Sequence, residues 1–465
     1  VASTGRNNEP LFIMLFITTV LVVISLGFIF PKLQKKINLF SDIVAKENLT
    51  SADDSTDNVQ LTDSIAEDTL ATMQSITDTA AQNIIMWKPG ELNLDSFFVD
   101  LKNLSKGKQK IRVAWFGDSM IEGDLVTQDF RKLMQKQFGG NGVGYVPVTS
   151  PVAQFRQTIR QTFSDDWTVY NFIKRPPDGI KLGISGNTFI SGEKSWVEFK
   201  GTRMYPLFSE VRLICRQCEQ NSLMVIADSL NFLLPEHTVG NLQDLTMPVT
   251  KPLKSIKFQF EKSNCEIHGI YLDNGDGIYV DNFSFRGNSG IPLSSIPFSE
   301  LSEIGKKENY RLVILSYGLN VVAHDVKKYS WYKASFAKTL AYIKAAFPDA
   351  SVLLMSVGDK SYRDEDGYKT EPDIPIFVNM QKQLAASGGV AFWNLYEAMG
   401  GYNSMVKWAE GNPKLANLDY THPNFAGGRK IAQLVFDDIM KSYERYLKET
   451  MGNEVVIDSL KTKHL

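Results

Sequence analysis

Toward the C-terminal end of the chain, Leu418-Asp419-Tyr420-Thr421-His422 sets an acid and an imidazole three residues apart. Far upstream, the apolar run Val113-Ala114-Trp115-Phe116 leads into Gly117-Asp118-Ser119-Met120. Together these residue types make an activated serine. His422 can take the hydroxyl proton of Ser119, and Asp419 can hold the imidazole in the tautomer that the transfer needs. Each piece alone has a plainer reading. Gly-Asp-Ser also suits a strand-to-helix turn with a serine cap, and an isolated histidine is usually structural. His422 is set apart from His237, His268, His324 and His464 by the acid at this spacing.

Two further turns carry polar groups suited to such a site. Tyr317-Gly318-Leu319-Asn320 follows the apolar run Leu312 to Leu315, and an Asn amide at a strand end can donate to a developing oxyanion. Phe285-Arg286-Gly287-Asn288-Ser289-Gly290 offers glycines whose backbone N–H can approach a substrate closely. A plain turn accounts for either segment in isolation. No G-x-S-x-G elbow is present, which disfavours an α/β-hydrolase.

The elements that must position these residues read as an interrupted α/β domain. Ile111 to Phe116 is a predicted strand, and Leu125 to Phe138 an amphipathic helix stopped at Gly139-Gly140. From about 155 to 285 the pattern changes to short alternating runs punctuated by Gly, Asn, Asp and Pro, as in a β-sandwich. Strand-helix alternation then resumes and closes with a helix from Phe425 to Lys448. The expected organisation is a first α/β part over 88–154, an inserted sandwich over 155–285 and a second α/β part over 286–450.

A chain of 465 residues exceeds one ordinary domain, and its net charge of −2 excludes a nucleic-acid-binding reading. The uncharged run Leu11 to Phe30 is long enough to span a hydrocarbon core of about 30 Å, and no small-residue cleavage site follows it. It reads as an uncleaved transmembrane anchor. Residues 37–87, rich in Ser, Thr, Asp, Ala and Asn, read as a stalk. Lys32, Lys35 and Lys36 outnumber Arg6, so the charge bias places the C-terminal flank inside, against the exported arrangement adopted below. The odd set Cys215, Cys218 and Cys265 excludes a fully paired disulfide framework. With His268 these thiols match zinc-ligand types, but chance neighbours in a β-rich stretch weigh more, and no metal is assigned.

In this order the motifs resemble the SGNH hydrolases, the GDSL lipase/acylhydrolase superfamily. The family's four named residues map onto Ser119, a glycine of the Arg286 to Gly290 turn, Asn320 and His422, with Asp419 completing its D-x-x-H. Gly290 matches best and Gly287 second; Gly183 to Thr188 has similar letters but lies too far before Asn320. The order serine, β insertion, glycine, asparagine, Asp-x-x-His is similar to bacterial peptidoglycan O-acetylesterases and O-acetyltransferases, as are Gly139 to Pro147 and Phe392 to Gly401. The resemblance covers roughly 105–440. Met120 replaces the family's Leu, and Val321 stands where many relatives have an acid.

The resemblance implies a three-layer, flavodoxin-like α/β fold with no cofactor. It implies Ser119, Asp419 and His422 as catalytic residues and Ser119, Gly290 and Asn320 as the oxyanion hole. Trp408 and Tyr402 are candidate sugar-stacking residues. The expected activity is serine esterase action on an O-acetylated envelope glycan. The alternatives are an O-acetyltransferase fed by a membrane-bound O-acyltransferase partner, and a non-catalytic glycan-binding protein. The expected location is the bacterial inner membrane, single-pass, with the catalytic domain in the periplasm.

Overall fold

The computed structural model describes residues 88–461, apart from 105–106, 229, 236, 238–239 and 263; side chains are described to residue 450. The expected anchor at 11–30 and stalk at 37–87 lie outside these residues. Among the described residues no helix is long and apolar enough to cross a membrane.

Five strands form a wholly parallel sheet: β1 (Lys110–Gly117), β2 (Gly277–Ser284), β3 (Tyr310–Ser316), β4 (Ser351–Met355) and β5 (Ala391–Trp393). Their spatial order is β2-β1-β3-β4-β5, the flavodoxin-like order. Side chains alternate between two faces, and both faces are covered. Val113, Trp115, Leu312, Ile314 and Leu353 pack with helices α1 (Asp95–Leu104), α2 (Thr127–Phe138) and the C-terminal helix Phe425–Lys461. Ala114, Phe116, Val313, Leu315 and Leu354 pack with α3 (Phe298–Lys307), α4 (Ser330–Ala346) and α5 (Asp373–Gly388). Burial on both faces explains why β1 and β3 read as near-continuous apolar runs.

Between α2 and β2 the chain builds two antiparallel sheets. One orders Gln243–Thr246, Glu210–Cys215, Glu266–Asp273, Asn187–Ile190 and Thr168–Asn171. The other orders Ile159–Phe163, Trp196–Gly201, Ser255–Phe260, Leu223–Ala227 and Leu230–Leu233. Phe199, Val225 and Phe258 of one meet Val211, Leu213 and Ile267 of the other in a shared core. The boundaries expected for this insertion need correction at both ends. Gly144–Val146 pairs with the insert strand Glu266–Asp273. Gly277–Ser284, expected within the sandwich, is instead the edge strand of the parallel sheet and pairs with β1 along its whole length.

Two buried charge networks lock the insert to the α/β body. Arg112 of β1 meets Asp273 of the insert, Asp281 of β2 (3.1 Å) and Glu308 (2.9 Å). Arg212 of the insert reaches the same Glu308 at 2.5 Å. At the second junction Asp124 accepts from Arg131 (2.8 Å), Arg156 (3.1 Å) and the hydroxyls of Thr127 (2.5 Å) and Thr158 (2.8 Å).

Candidate active site

The strand order reverses between β1 and β3, and such a switch point opens a crevice at the strands' carboxyl ends. β1 ends there in Gly117-Asp118-Ser119, and β3 leads into Tyr317-Gly318-Leu319-Asn320. At Gly117 a Cβ would lie 2.6 Å from Ser316 Oγ and 2.9 Å from the Ile121 side chain, so any larger residue would push these neighbours aside.

The loop before the C-terminal helix brings His422 over β1. Ser119 Oγ and His422 Nε2 are 2.9 Å apart, and His422 Nδ1 lies 2.8 Å from Asp419 Oδ2. With Nδ1–H donated to the carboxylate, Nε2 is the acceptor that faces the serine hydroxyl. Asp419 Oδ1 also accepts the backbone N–H groups of Thr421 and His422, each at 3.0 Å. Partial burial works against the charge of Asp419, but the imidazole and these N–H groups outweigh it and hold its carboxyl below the usual carboxylate range.

Asp118, which the sequence reading did not assign, is buried beneath the serine. Its Oδ1 accepts Met120 N–H at 3.0 Å, and its Oδ2 accepts Asn320 Nδ2 at 3.1 Å, which aims the Asn320 amide. Burial lifts its carboxyl to about 6, against the pull of the Met120 N–H and of His422. The signal was the middle letter of Gly-Asp-Ser.

The glycine turn is anchored beside Ser119. Phe285 N–H donates to Gly117 O (2.9 Å), and Arg286 Nε donates to Glu122 Oε2 (2.9 Å). Gly290 adopts φ +89°, and a Cβ there would meet Phe336 at 2.5 Å and Tyr317 at 2.8 Å. Its N–H does not stand open as an oxyanion donor, because it is donated to Asn288 Oδ1 at 2.8 Å. Gly287 lies in an uncrowded turn. Asn320 Nδ2 also reaches Asn288 O at 3.3 Å.

The two expected stacking residues part company. Trp408 is 7% exposed and packs in the core, its Nε1–H donated to Met399 O, so it offers no sugar platform. Tyr402 is 61% exposed. Its neighbour Asn403 exchanges hydrogen bonds with Thr370, at the foot of a hairpin (Ser361–Asp364 and Gly367–Thr370) that the sequence reading missed. The three cysteines are buried free thiols. His268 sits with Glu266 and Glu300 instead, and among the described residues no cluster of three or more His, Cys, Asp or Glu is arranged to hold a metal.

No family model matches the chain, and no curated protein matches it. Among solved structures, the chain is similar to a peptidoglycan O-acetylesterase, at a TM-score of 0.65 and 20% identity, over 77% of this chain and 99% of that one. A putative GDSL-like lipase from Parabacteroides merdae (TM-score 0.27, 16% identity, 36% of this chain and 73% of that one) also matches. So does an acetyl xylan esterase (TM-score 0.25, 16% identity, 34% and 80%). At those TM-scores neither adds weight. The parallel sheet, its interrupting strands and the near-complete coverage of the first structure establish the architecture: this chain shares the fold of that peptidoglycan O-acetylesterase.

Proposed function

We propose that the protein is a serine esterase that removes O-acetyl groups from a peptidoglycan-like envelope glycan. The observation that carries this reading is the continuous line from Asp419 through His422 to Ser119 Oγ, with spacings of 2.8 and 2.9 Å. The fold shared with a peptidoglycan O-acetylesterase supports the substrate class.

Ser119 Oγ attacks the acetyl carbonyl as its proton passes to His422 Nε2. The carbonyl oxygen takes the negative charge and meets the Ser119 N–H and the Asn320 amide, whose second hydrogen exchanges its 3.3 Å contact with Asn288 O for the oxyanion while the first stays on Asp118. Gly290 N–H joins them once the Asn288 amide turns away from it. His422 then protonates the departing sugar alkoxide, leaving an acetyl-serine. Water, deprotonated by the same Nε2, attacks this ester and releases acetate. Asp419 holds the imidazole and stabilises its cationic form throughout.

The uncharged run Leu11 to Phe30 favours a second reading, a tethered O-acetyltransferase. There a glycan hydroxyl replaces water, and a membrane-bound O-acyltransferase partner supplies acetyl groups at high effective concentration. Either reaction fits an inner-membrane anchor with the catalytic domain in the periplasm.

The test is acetate release from O-acetylated peptidoglycan and from 4-nitrophenyl acetate, by wild type and Ser119→Ala, with and without added glycan acceptor. Ser119-dependent acetate release supports the esterase. Slow hydrolysis with acetyl appearing on the acceptor selects the transferase. No Ser119-dependent turnover of any acyl donor removes both and leaves a glycan-binding protein.

A further inference from the structure

Another imidazole-carboxylate pair, with its imidazole exposed, stands on the loop that carries Asn320. His324 follows Asn320 by four residues, so the chain keeps it within roughly 14 Å of the oxyanion donor. Its Nδ1 lies 3.0 Å from Glu371 Oε1. The two side chains differ sharply in exposure, 53% for His324 and 5% for Glu371. A surface ion pair holds both partners in water and contributes little. Here the carboxylate is buried to hold an open imidazole, which fixes the ring and turns Nε2 outward. The pair thus repeats the arrangement of Asp419 and His422, but with no serine at its far nitrogen.

The ring is also held from its face. Tyr362 of the hairpin lies against His324, with centroids 4.6 Å apart and planes at 49°. The same hairpin grips the catalytic histidine loop, because Ser361 N–H donates to Tyr420 O at 2.9 Å, two residues before His422. The hairpin therefore spans from the Asn320 loop to the His422 loop. His324 and Tyr362 form an aromatic corner between the loops that carry Asn320 and His422, a rim to the site those loops build. Behind it the loop is braced, as Tyr329 Oη donates to Asp373 Oδ2 (2.6 Å) and the Lys327 N–H donates to the same oxygen (2.7 Å).

We propose that His324, Glu371 and Tyr362 form a sugar-binding subsite that receives the amino-sugar ring next to the acetylated one. This rests on the reading of the protein as acting on a glycan. The tilted rings offer an apolar surface to the C–H face of a pyranose. His324 Nε2 hydrogen-bonds a ring hydroxyl or an N-acetyl carbonyl, the ring being oriented by its contact with Glu371. His324 is a positioning residue and takes no part in the bond changes at Ser119.

The decisive experiment separates polymer from small substrate. His324→Ala and Tyr362→Ala are compared with wild type on O-acetylated peptidoglycan fragments and on 4-nitrophenyl acetate, which is too small to reach the rim. The expected result is a KM for the glycan raised about tenfold, the scale of one lost hydrogen bond, with kcat and aryl-acetate turnover unchanged. His324→Gln, which keeps a hydrogen-bonding group, should recover part of the loss. Equal loss on both substrates, or no loss on either, overturns the proposal. A binding arm needs no turnover. In Ser119→Ala, a de-O-acetylated glycan fragment should shift the His324 ring resonances in NMR, and Tyr362→Ala should weaken that binding. Shifts with no Ser119-dependent glycan hydrolysis in wild type would keep the subsite and sink the esterase reading; hydrolysis without the shifts would do the reverse.

Discussion

Tyr368 lies flat on Tyr420, with ring centroids 3.6 Å apart and planes 11° from parallel. Tyr420 occupies a left-handed backbone conformation (φ +53°), which a tyrosine adopts only when held there. Besides the stack, its hydroxyl donates to Glu410 Oε1 at 2.8 Å. The residue between Asp419 and Thr421 is thus clamped by the hairpin on one side and by a helix end on the other.

Loosening that clamp should affect rate before fold. Tyr368→Ala removes the stack but no catalytic atom. A misplacement of about 1 Å in the histidine loop costs about 100-fold in rate, while the lost ring pair accounts for about 1 kcal/mol of stability. Steady-state kinetics and thermal melts on one preparation check this. A kcat equal to wild type would mean that the loop is held elsewhere.

Within the site, Asp419→Asn should lower kcat by about 10⁴, since the amide no longer selects the right imidazole tautomer. Asn320→Ala should lower it by about 100- to 1000-fold, the scale of one oxyanion donor. Asn288→Ala tests the state of Gly290 N–H. If the Asn288 amide must turn away for catalysis, this variant should keep or gain activity on 4-nitrophenyl acetate.

Asp118 predicts opposite pH trends for stability and activity. Burial raises its native carboxyl to about 6, whereas the unfolded chain titrates near 4. Between those values the native state binds the extra proton, so this group makes the fold more stable as pH falls from above 6 toward 4. Protonation meanwhile removes the negative charge that faces His422 and an acceptor for Asn320. Melts of wild type and Asp118→Asn at pH 5, 6 and 7 isolate the effect. Their difference should shift in favour of wild type as pH falls, and a difference independent of pH would contradict the assignment.

Asp124→Ala should cost about 3–5 kcal/mol, because it strands Arg131 and Arg156 without their shared carboxylate. Chemical denaturation gives the value directly. A loss below about 1 kcal/mol would show that water reaches that junction.

Ser119, Asn320, Asp419 and His422 were legible because each belongs to a short motif at the end of a recognisable strand or helix. Other features depended on partners that the chain brings from afar. Glu371 stands 47 positions from His324, and no local pattern joins them. The hairpin Ser361–Thr370 is polar and short, held by Tyr368 on Tyr420 rather than by its own alternation. Gly277–Ser284 breaks its apolar run with Asp281 and Asn282 and follows the sandwich strands directly, and only its parallel pairing with β1 assigns it to the other sheet. Trp408 misled because an aromatic near the Asp-His segment looks available, while Met405, Trp408 and Ala409 share the buried face of one helix.

The pairing of β1 with β2 sets an order on the protein's birth. Leaving the ribosome, β1 with Ser119 at its end emerges before the sandwich, and the neighbour that leads into the glycine turn follows only after the whole sandwich has been made. Until Asp273 and Asp281 arrive, Arg112 is a cation without its counter-charges. The nascent chain therefore holds Ser119 without the glycine turn until the sandwich has been made, and without His422 until the second α/β part follows.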